Sequence, residues 1–276
     1  MIIDLKEHKM SIAEALKVAR PYDTIYLDSK VYEEKLTIDI PHLTLKGRAG
    51  SKISYYASHG TIIPLSFGGD GKKVFGTTGS ASVLITKEAI GFQAFDITFE
   101  NSFKRNGLPN GQAVAFKSEC SYLAMKNCHF IGEQDTLYID GGFFNKIENS
   151  FIEGDVDFVF GSADCVFKNC VLYAKNCSGK AYFLAPDTYE DHQYGFIFKQ
   201  CQFKKESTVK AYLGRAWFPS KALKPVYPKV TLIDCILEEG ITLDLIQMHV
   251  QDPRYYSLKI HPSDDCCEEE QYSSIL

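Results

Sequence analysis

The stretch Met125–Leu172, MKNCHFIGEQDTLYIDGGFFNKIENSFIEGDVDFVFGSADCVFKNCVL, contains one short pattern three times. In each copy an amide residue followed by Cys or Ser lies between apolar residues, as in MKNCHF, IENSFI and FKNCVL. Related copies, AFDITF, FKQCQF and LIDCIL, occur on either side of this stretch. The polar residues at the centres of the six copies are Asp96, Asn127, Asn149, Asn169, Gln200 and Asp234.

Successive copies are 31, 22, 20, 31 and 34 residues apart. Such spacings are too short for separate domains and too irregular for leucine-rich repeats, but they suit coils of a β-solenoid with loops of different length. The pattern therefore predicts an all-β chain, a parallel β-helix that forms a single domain over residues 1–276. Stacked coils would align the amides in a hydrogen-bonded ladder and bury four cysteines as small apolar residues. These cysteines are Cys128, Cys170, Cys201 and Cys235.

Both ends of a solenoid need protection, because a terminal coil exposes apolar surface and unpaired backbone groups. The residues Ser11-Ile12-Ala13-Glu14 have the form of a capping box, which predicts a short N-terminal capping helix over residues 11–19. We expect the C-terminal 30 residues to wrap the other end or the flank as loops.

Length and composition limit the class of protein. With 276 residues, 45% of them apolar, the chain can bury a large core. It contains no run of about 18 apolar residues, so no membrane partner is expected. The N-terminal residues lack the apolar core and cleavage site of a signal peptide. The expected location is the cytoplasm, or outside the cell if the native N-terminus was trimmed.

Charge and cysteine usage limit the partners and cofactors. The formal net charge of −5 argues against nucleic-acid binding. Residues 165–230 nevertheless carry eleven Lys or Arg against four Asp or Glu, which fits either a solvated face or steering of an anionic polymer. Nine cysteines without a CxxC pair favour reduced thiols, and Cys266 and Cys267 in the acidic tail receive no role. No metal site or cofactor is expected, because no cluster has ligand spacing.

The coil length brings four polar side chains together. Asn127 and Asn149 are 22 residues apart, and the same increment carries Gln112 to Gln134 and Asp135 to Asp157. If one coil advances the chain by about 4.8 Å, both aspartates stack and both glutamines stack beside them.

Stacked carboxylates and amides suit hydrolysis. Two neighbouring carboxyls cannot both ionise easily, so one holds a proton and the other is an anion. Glutamine amides can donate hydrogen bonds to an oxyanion, and Arg215 of YLGRAW is the best candidate to orient one aspartate. From the spacing alone, aspartates that cap turns and glutamines in a structural ladder remain open as an alternative.

Six motifs occur in order along the chain: FGTTGSASV from Phe75, ITFENS from Ile97, NGQAVAF from Asn110, GEQDTLY from Gly132, GDVDFVFG from Gly154 and YLGRAW from Tyr212. Together they resemble the pectin methylesterase (pectinesterase) family between about residues 30 and 240. The resemblance implies a right-handed parallel β-helix, a monomer, and hydrolysis of galacturonate methyl esters to carboxylate and methanol without metal or cofactor.

The same resemblance implies roles for individual residues. Asp157 would be the nucleophile, Asp135 the general acid and base, and Arg215 the residue that orients Asp157. Gln112 and Gln134 would donate to the oxyanion. The side chains expected in the sugar-binding cleft are Tyr138, Phe160, Trp217, Thr78 and Val156.

Departures from the family pattern concern the substrate. Trp217 is the only tryptophan, whereas the family commonly has further tryptophans downstream. Stacking on sugar rings in the part of the cleft formed by this downstream region would be weaker, or would be supplied by Tyr255, Tyr256 or Met248. The expected substrate is therefore methyl-esterified oligogalacturonide in preference to long pectin. Two alternatives are a polygalacturonase-like glycoside hydrolase, whose usual NTD, GHG and RIK motifs are missing here, and a noncatalytic pectin-binding solenoid.

Overall fold

A computed structural model describes residues 1–106, 108, 110–219, 222, 224–245 and 257–261. Over these residues the chain is a right-handed parallel β-helix, in which successive coils add strands to three parallel sheets. The all-β prediction is therefore confirmed. Each strand inside a sheet pairs with the strand one coil before and the strand one coil after, so every coil covers the apolar interior of its neighbour.

Within each of the three sheets, the strands lie side by side in chain order. The first sheet comprises Ile2–Asp4, Thr24–Tyr26, Thr44–Lys46, Gln93–Phe95, Ala124–Lys126, Asn145–Glu148, Cys165–Lys168, Phe196–Lys199, Lys229–Ile233 and Ser257–His261. The second sheet comprises Val31–Tyr32, Lys52–Tyr55, Thr98–Asn101, His129–Ile131, Phe151–Gly154, Val171–Ala174, Gln202–Lys205 and Ile236–Leu237. The third sheet comprises Leu36–Ile38, Val83–Ile85, Phe116–Ser118, Leu137–Ile139, Val159–Gly161, Lys180–Pro186, Lys210–Gly214 and Thr242–Leu245.

Helices are few and short. They are Leu5–His8, Ile12–Val18, Gly76–Gly79 and a 3-10 turn at Leu65–Phe67. Within the described ranges, no helix has the length and apolar character needed to cross a lipid bilayer.

The predicted N-terminal capping helix is confirmed at Ile12–Val18. The Ser11 hydroxyl accepts the Glu14 N–H at 3.1 Å, and the Glu14 carboxylate accepts the Ser11 N–H at 2.8 Å. Ile12 and Ala15 are fully buried, so this helix covers the apolar interior at the start of the solenoid.

The predicted C-terminal loops are wrong at the segment Ser257–His261, which is a strand that pairs in parallel with Lys229–Ile233. A further strand satisfies the open edge of the last complete coil more fully than a loop can. Cys266 and Cys267 lie outside the described residues, as do the three side chains considered for sugar stacking, Met248, Tyr255 and Tyr256.

The repeated polar residues sit at the turn between the first and second sheets, where the backbone takes left-handed φ values of 48° to 60°. Asn and Asp adopt this region more easily than other non-glycine residues. The predicted amide ladder is represented by one hydrogen bond, from Asn127 Nδ2 to Asp96 Oδ1 at 3.0 Å. What the six repeat positions share is therefore the turn conformation rather than a continuous ladder.

The cysteine that follows the turn residue faces the interior, as predicted. Cys128, Cys170 and Cys201 are fully buried, and Cys235 is half-buried. Their thiols donate to carbonyls of the preceding coil, for example from Cys201 Sγ to Phe167 O at 3.3 Å. Among the described residues, all seven cysteines are free thiols.

Gly161 ends a strand of the third sheet directly after Phe160, and its φ is 124°. A Cβ there would lie 2.0 Å from the carbonyl oxygen of Ile139 in the preceding coil. We expect Gly161→Ala to lower the free energy of unfolding by about 2–5 kcal/mol, because a strained backbone and a steric clash add. Urea unfolding measures the loss.

Gly50→Ala is the matched control. Gly50 also has a positive φ, 85°, but a Cβ there would have no neighbour within 4 Å. It should cost about 1 kcal/mol, the backbone contribution alone. Equal losses for the two variants would contradict a role for the close approach between the coils at Ile139.

Candidate active site

A cavity of 200 Å³ opens on the outer face of the third sheet. Seven of the ten side chains assigned from the sequence line it, together with two that were not assigned. The lining residues are Thr77, Gln112, Gln134, Asp135, Asp157, Phe160, Ala185, Arg215 and Trp217.

The two aspartates occupy equivalent places on adjacent coils. Tyr138 pairs with Phe160 across the third sheet, so the 22-residue increment is one coil, as predicted. The Asp135 N–H donates to the carbonyl of Val156 at 3.0 Å, which ties the first aspartate to the residue before Asp157. The glutamines follow the same arrangement, since Ala113 N donates to Gln134 O at 3.0 Å.

Both aspartates sit in a strained backbone conformation at the entry to the third sheet. Their φ values are 64° for Asp135 and 52° for Asp157. A non-glycine residue in this region costs about 1–3 kcal/mol and persists only where its surroundings fix it. Both carboxyl groups line the same cavity.

Arg215 pairs with only one of the two carboxyls. Its Nε donates to Asp157 Oδ1 at 2.7 Å and its terminal nitrogen to Oδ2 at 2.5 Å, a bidentate geometry. The guanidinium carbon also lies 4.6 Å from the ring centre of Tyr182. Arg215 follows the strand Lys210–Gly214, and this strand together with Tyr182 fixes the guanidinium plane.

This asymmetry divides the proton between the two carboxyls. Burial raises the pKa of Asp135 well above its ordinary value, and the negative charge of Asp157 raises it further. Burial also raises the pKa of Asp157, but the Arg215 hydrogen bonds oppose that rise. The arrangement therefore favours the proton on Asp135 and the negative charge on Asp157, which Arg215 binds.

An aromatic wall borders the carboxyl pair. Trp217 packs edge-on to Phe160 with 6.1 Å between ring centres, and Phe160 stacks on Tyr138 at 4.1 Å. Trp217 and Phe160 line the cavity, and the small side chain of Ala185, which also lines it, leaves room for a ligand. Such a wall suits the apolar face of a sugar ring.

Three side chains assigned to the sugar cleft lie just outside the cavity. Tyr138 is 9% exposed and sits behind Phe160, while Val156 contributes its carbonyl to Asp135. Thr78 is exposed and accepts a hydrogen bond from Lys117 at 3.0 Å, whereas its neighbour Thr77 lines the cavity. Substrate contacts by Tyr138, Val156 and Thr78 stay predictions.

The pectinesterase family model matches residues 4–242. The chain belongs to the pectinesterase family. It is 31% identical over 223 residues to a probable pectinesterase A from Aspergillus niger, a match that covers 79% of this chain and 64% of that protein. Matches to two other curated pectinesterases, from Sitophilus oryzae and Arabidopsis thaliana, span only 40% and 55% of those proteins.

Solved pectinesterase structures share the fold. A pectin methylesterase from Yersinia enterocolitica is 29% identical, with a TM-score of 0.78 over 91% of this chain and 90% of that one. A pectin methylesterase in complex with a hexasaccharide is 24% identical, with a TM-score of 0.76 over 95% of this chain and 89% of that one.

Several charged residues next to this pectinesterase-like cavity were not predicted from the sequence. Glu133 and Asp155 each lie two residues before a candidate catalytic aspartate, and both are buried. The same 22-residue increment separates Glu133 from Asp155, so the repeat itself contained the signal. Arg105, which lies 3.6 Å from Asp155, belongs to a loop without a repeat and gave no such signal.

The local excess of positive charge is spread around the solenoid. Among the described basic residues of 165–230, only Arg215 lines the cavity. Lys180 and Lys210 lie on the third sheet outside the cavity, Lys168 and Lys199 on the first sheet, and Lys204 and Lys205 on the second. This distribution favours the solvated-face explanation over steering toward the cavity. The described part of the chain contains no group of three His, Cys, Asp or Glu that could hold a metal ion.

Proposed function

We propose that the chain removes methyl groups from methyl-esterified galacturonate units of oligogalacturonides or pectin and releases methanol. The observation that carries the proposal is the bidentate pair of Arg215 with Asp157 in one cavity with Asp135 and two glutamine amides. Membership of the pectinesterase family and the hexasaccharide bound to a solved relative support the substrate class.

In the first step, Asp157 Oδ attacks the ester carbonyl and forms an acyl-enzyme. Gln112 and Gln134 donate N–H groups to the oxyanion that develops on the carbonyl oxygen. The protonated Asp135 gives its proton to the departing methoxy oxygen, which leaves as methanol. Arg215 orients the attacking carboxylate and limits its protonation.

In the second step, Asp135 is a carboxylate and accepts a proton from water. The water oxygen attacks the acyl carbon, the bond to Asp157 breaks, and the galacturonate carboxylate leaves. Asp157 regains its charge beside Arg215 and Asp135 regains its proton. The sum is ester plus water giving carboxylate, methanol and one released proton.

One assay separates this proposal from its alternatives. Methyl-esterified oligogalacturonides are incubated with the protein, and methanol and new reducing ends are measured in parallel. We expect methanol alone. New reducing ends would instead support glycoside hydrolysis, and binding without any product would support a noncatalytic solenoid. The cytoplasmic location, the monomeric state and the preference for short oligomers also stay predictions.

Trp217→Ala is expected to raise KM about 10-fold while kcat changes little, because the indole contacts the sugar ring and not the reacting ester. Initial rates of methanol release over a range of oligomer concentrations measure both constants. Tyr122→Ala is the control, since Tyr122 is 55% exposed on a turn outside the cavity. An unchanged KM for Trp217→Ala would remove Trp217 from the substrate contacts.

A further inference from the structure

A second ion pair lies beside the candidate catalytic carboxyls. Arg105 Nη1 is 3.6 Å from Asp155 Oδ2, and Asp155 is fully buried. Neither of these atoms, nor Arg105 Nε, has a hydrogen-bond partner among the described residues. The two groups therefore face each other as opposite charges in a low-dielectric region, where charge acts over several ångströms.

The ion pair is joined to both catalytic positions through the backbone. Asp155 Oδ1 accepts the N–H of Val156 at 2.7 Å, and the Val156 carbonyl accepts the N–H of Asp135 at 3.0 Å. Asp155 itself is separated from Asp157 by Val156 alone. The Asp155 carboxyl thus binds the one residue, Val156, that contacts Asp135 by a hydrogen bond and Asp157 by a peptide bond.

The loop that carries Arg105 is held in place on the same site. Glu133 Oε2 accepts the N–H of Arg105 at 2.7 Å, and Glu133 Oε1 lies 3.5 Å from Lys104 Nζ. A Cβ on Gly111 would lie 2.6 Å from Arg105 Cγ. The glycine directly before Gln112 therefore leaves room for the arginine stem to pass close to the segment that carries the oxyanion donor.

We propose that Arg105 and Asp155 form a positioning ion pair that places the proton on Asp135 and the negative charge on Asp157. This inference rests on the proposed esterase function. Neither residue lines the cavity, so the pair acts through the catalytic aspartates and not on the substrate.

The charges act on the two aspartates in opposite directions. The positive charge of Arg105 lowers the pKa of Asp157, alongside the larger effect of Arg215 and against the effect of burial. The negative charge of Asp155 raises the pKa of Asp135, in addition to burial and the charge of Asp157. The ion pair therefore separates the two titrations instead of shifting both together.

Three other charged side chains lie near the pair. Burial raises the pKa of Asp155, and the negative charge of Glu133 raises it further. The positive charges of Arg105 and Lys175 lower it. Lys104 reaches Glu133 but is 59% exposed at its side chain, so solvent screens it. Of the two cations in this loop, we therefore expect the loss of Arg105, and not the loss of Lys104, to change the pKa of Asp157.

The test follows the carboxyl titrations directly, by NMR of the protein with 13C-labelled aspartate. Signals of Asp135 and Asp157 are assigned from the variants in which each is replaced by asparagine. We expect Arg105→Gln to move the Asp157 titration to higher pH and Arg105→Lys to stay near the wild type. We expect Asp155→Asn to move the Asp135 titration to lower pH, an opposite change at the other aspartate.

Activity gives the second readout. For Arg105→Gln the acidic limb of kcat should move to higher pH, with about a 10-fold loss on that limb and KM within about twofold of the wild type. A merely structural role would lower kcat at all pH values and leave the limb in place. Lys104→Gln, a change of charge in the same loop, is the control and should leave both titrations unchanged.

The inference is overturned if the Asp157 titration is the same in Arg105→Gln as in the wild type, or if Asp155→Asn leaves the Asp135 titration in place. Should Arg105→Gln fail to fold, the Asp155→Asn titration decides alone. NMR titrations need no turnover. A wild-type protein that releases no methanol would therefore reject the proposed function, whereas unshifted titrations in an active enzyme reject only the ion-pair role.

Discussion

Replacing Asp157 with asparagine is expected to reduce methanol release at least about 100-fold, and the same replacement of Asp135 should have an effect of similar size. An amide at the first position could not attack the ester as an anion. An amide at the second could neither protonate the leaving methoxy oxygen nor activate water. The double variant should be little worse than either single variant, because the two carboxyls act as one unit. Steady-state methanol release measures all three.

The fold should survive these substitutions for a specific reason. Both aspartates have left-handed φ values, and asparagine tolerates that region as well as aspartate does. Burial raises the pKa of both carboxyls, which means that their ionised forms do not stabilise the fold. Replacing them with neutral amides should therefore leave the fold stable. Circular dichroism and thermal unfolding provide the control. A folded single variant that keeps more than about a tenth of the activity would contradict the assigned role.

The sequence predicted the coils because the requirement is local and repeats. Six turns from the first to the second sheet contain a residue with positive φ, which selects Asn, Asp or Gln at positions such as Asn127 and Asn149. The next position faces the interior, where a small residue such as Cys170 fits. Coil length then fixed which polar residues stack, so the sequence alone was enough to place Asp135 and Asp157 together.

The remaining features depend on contacts that do not repeat. Arg105 reaches Asp155 from a loop whose length differs from that of other coils, and no spacing connects the two residues. Thr77 rather than Thr78 faces the cavity because the helix Gly76–Gly79 turns the two side chains in different directions. The strand Ser257–His261 pairs by its backbone with the last complete coil, and its sequence carries no copy of the repeat.

Arg215→Gln is expected to lower kcat about 100-fold, since the nucleophile loses the bidentate partner that orients it. Loss of these hydrogen bonds leaves burial unopposed by Arg215, so the pKa of Asp157 rises. A larger fraction of Asp157 is then protonated at acidic pH, and the acidic limb of kcat should move to higher pH. Arg215→Lys should recover part of the charge effect but not the fork geometry.

Stability gives an independent check with a definite sign. A carboxyl whose folded pKa is raised contributes its stability at low pH, and that contribution is lost as pH rises through the folded value. In Arg215→Gln the Asp157 pKa is raised further, so the variant should be destabilised more at neutral than at acidic pH. We expect about 1–3 kcal/mol near neutral pH for this partly buried pair. Urea unfolding at two pH values measures it, and a loss of stability that is independent of pH would show that Arg215 acts by packing on Tyr182 and not by its charge.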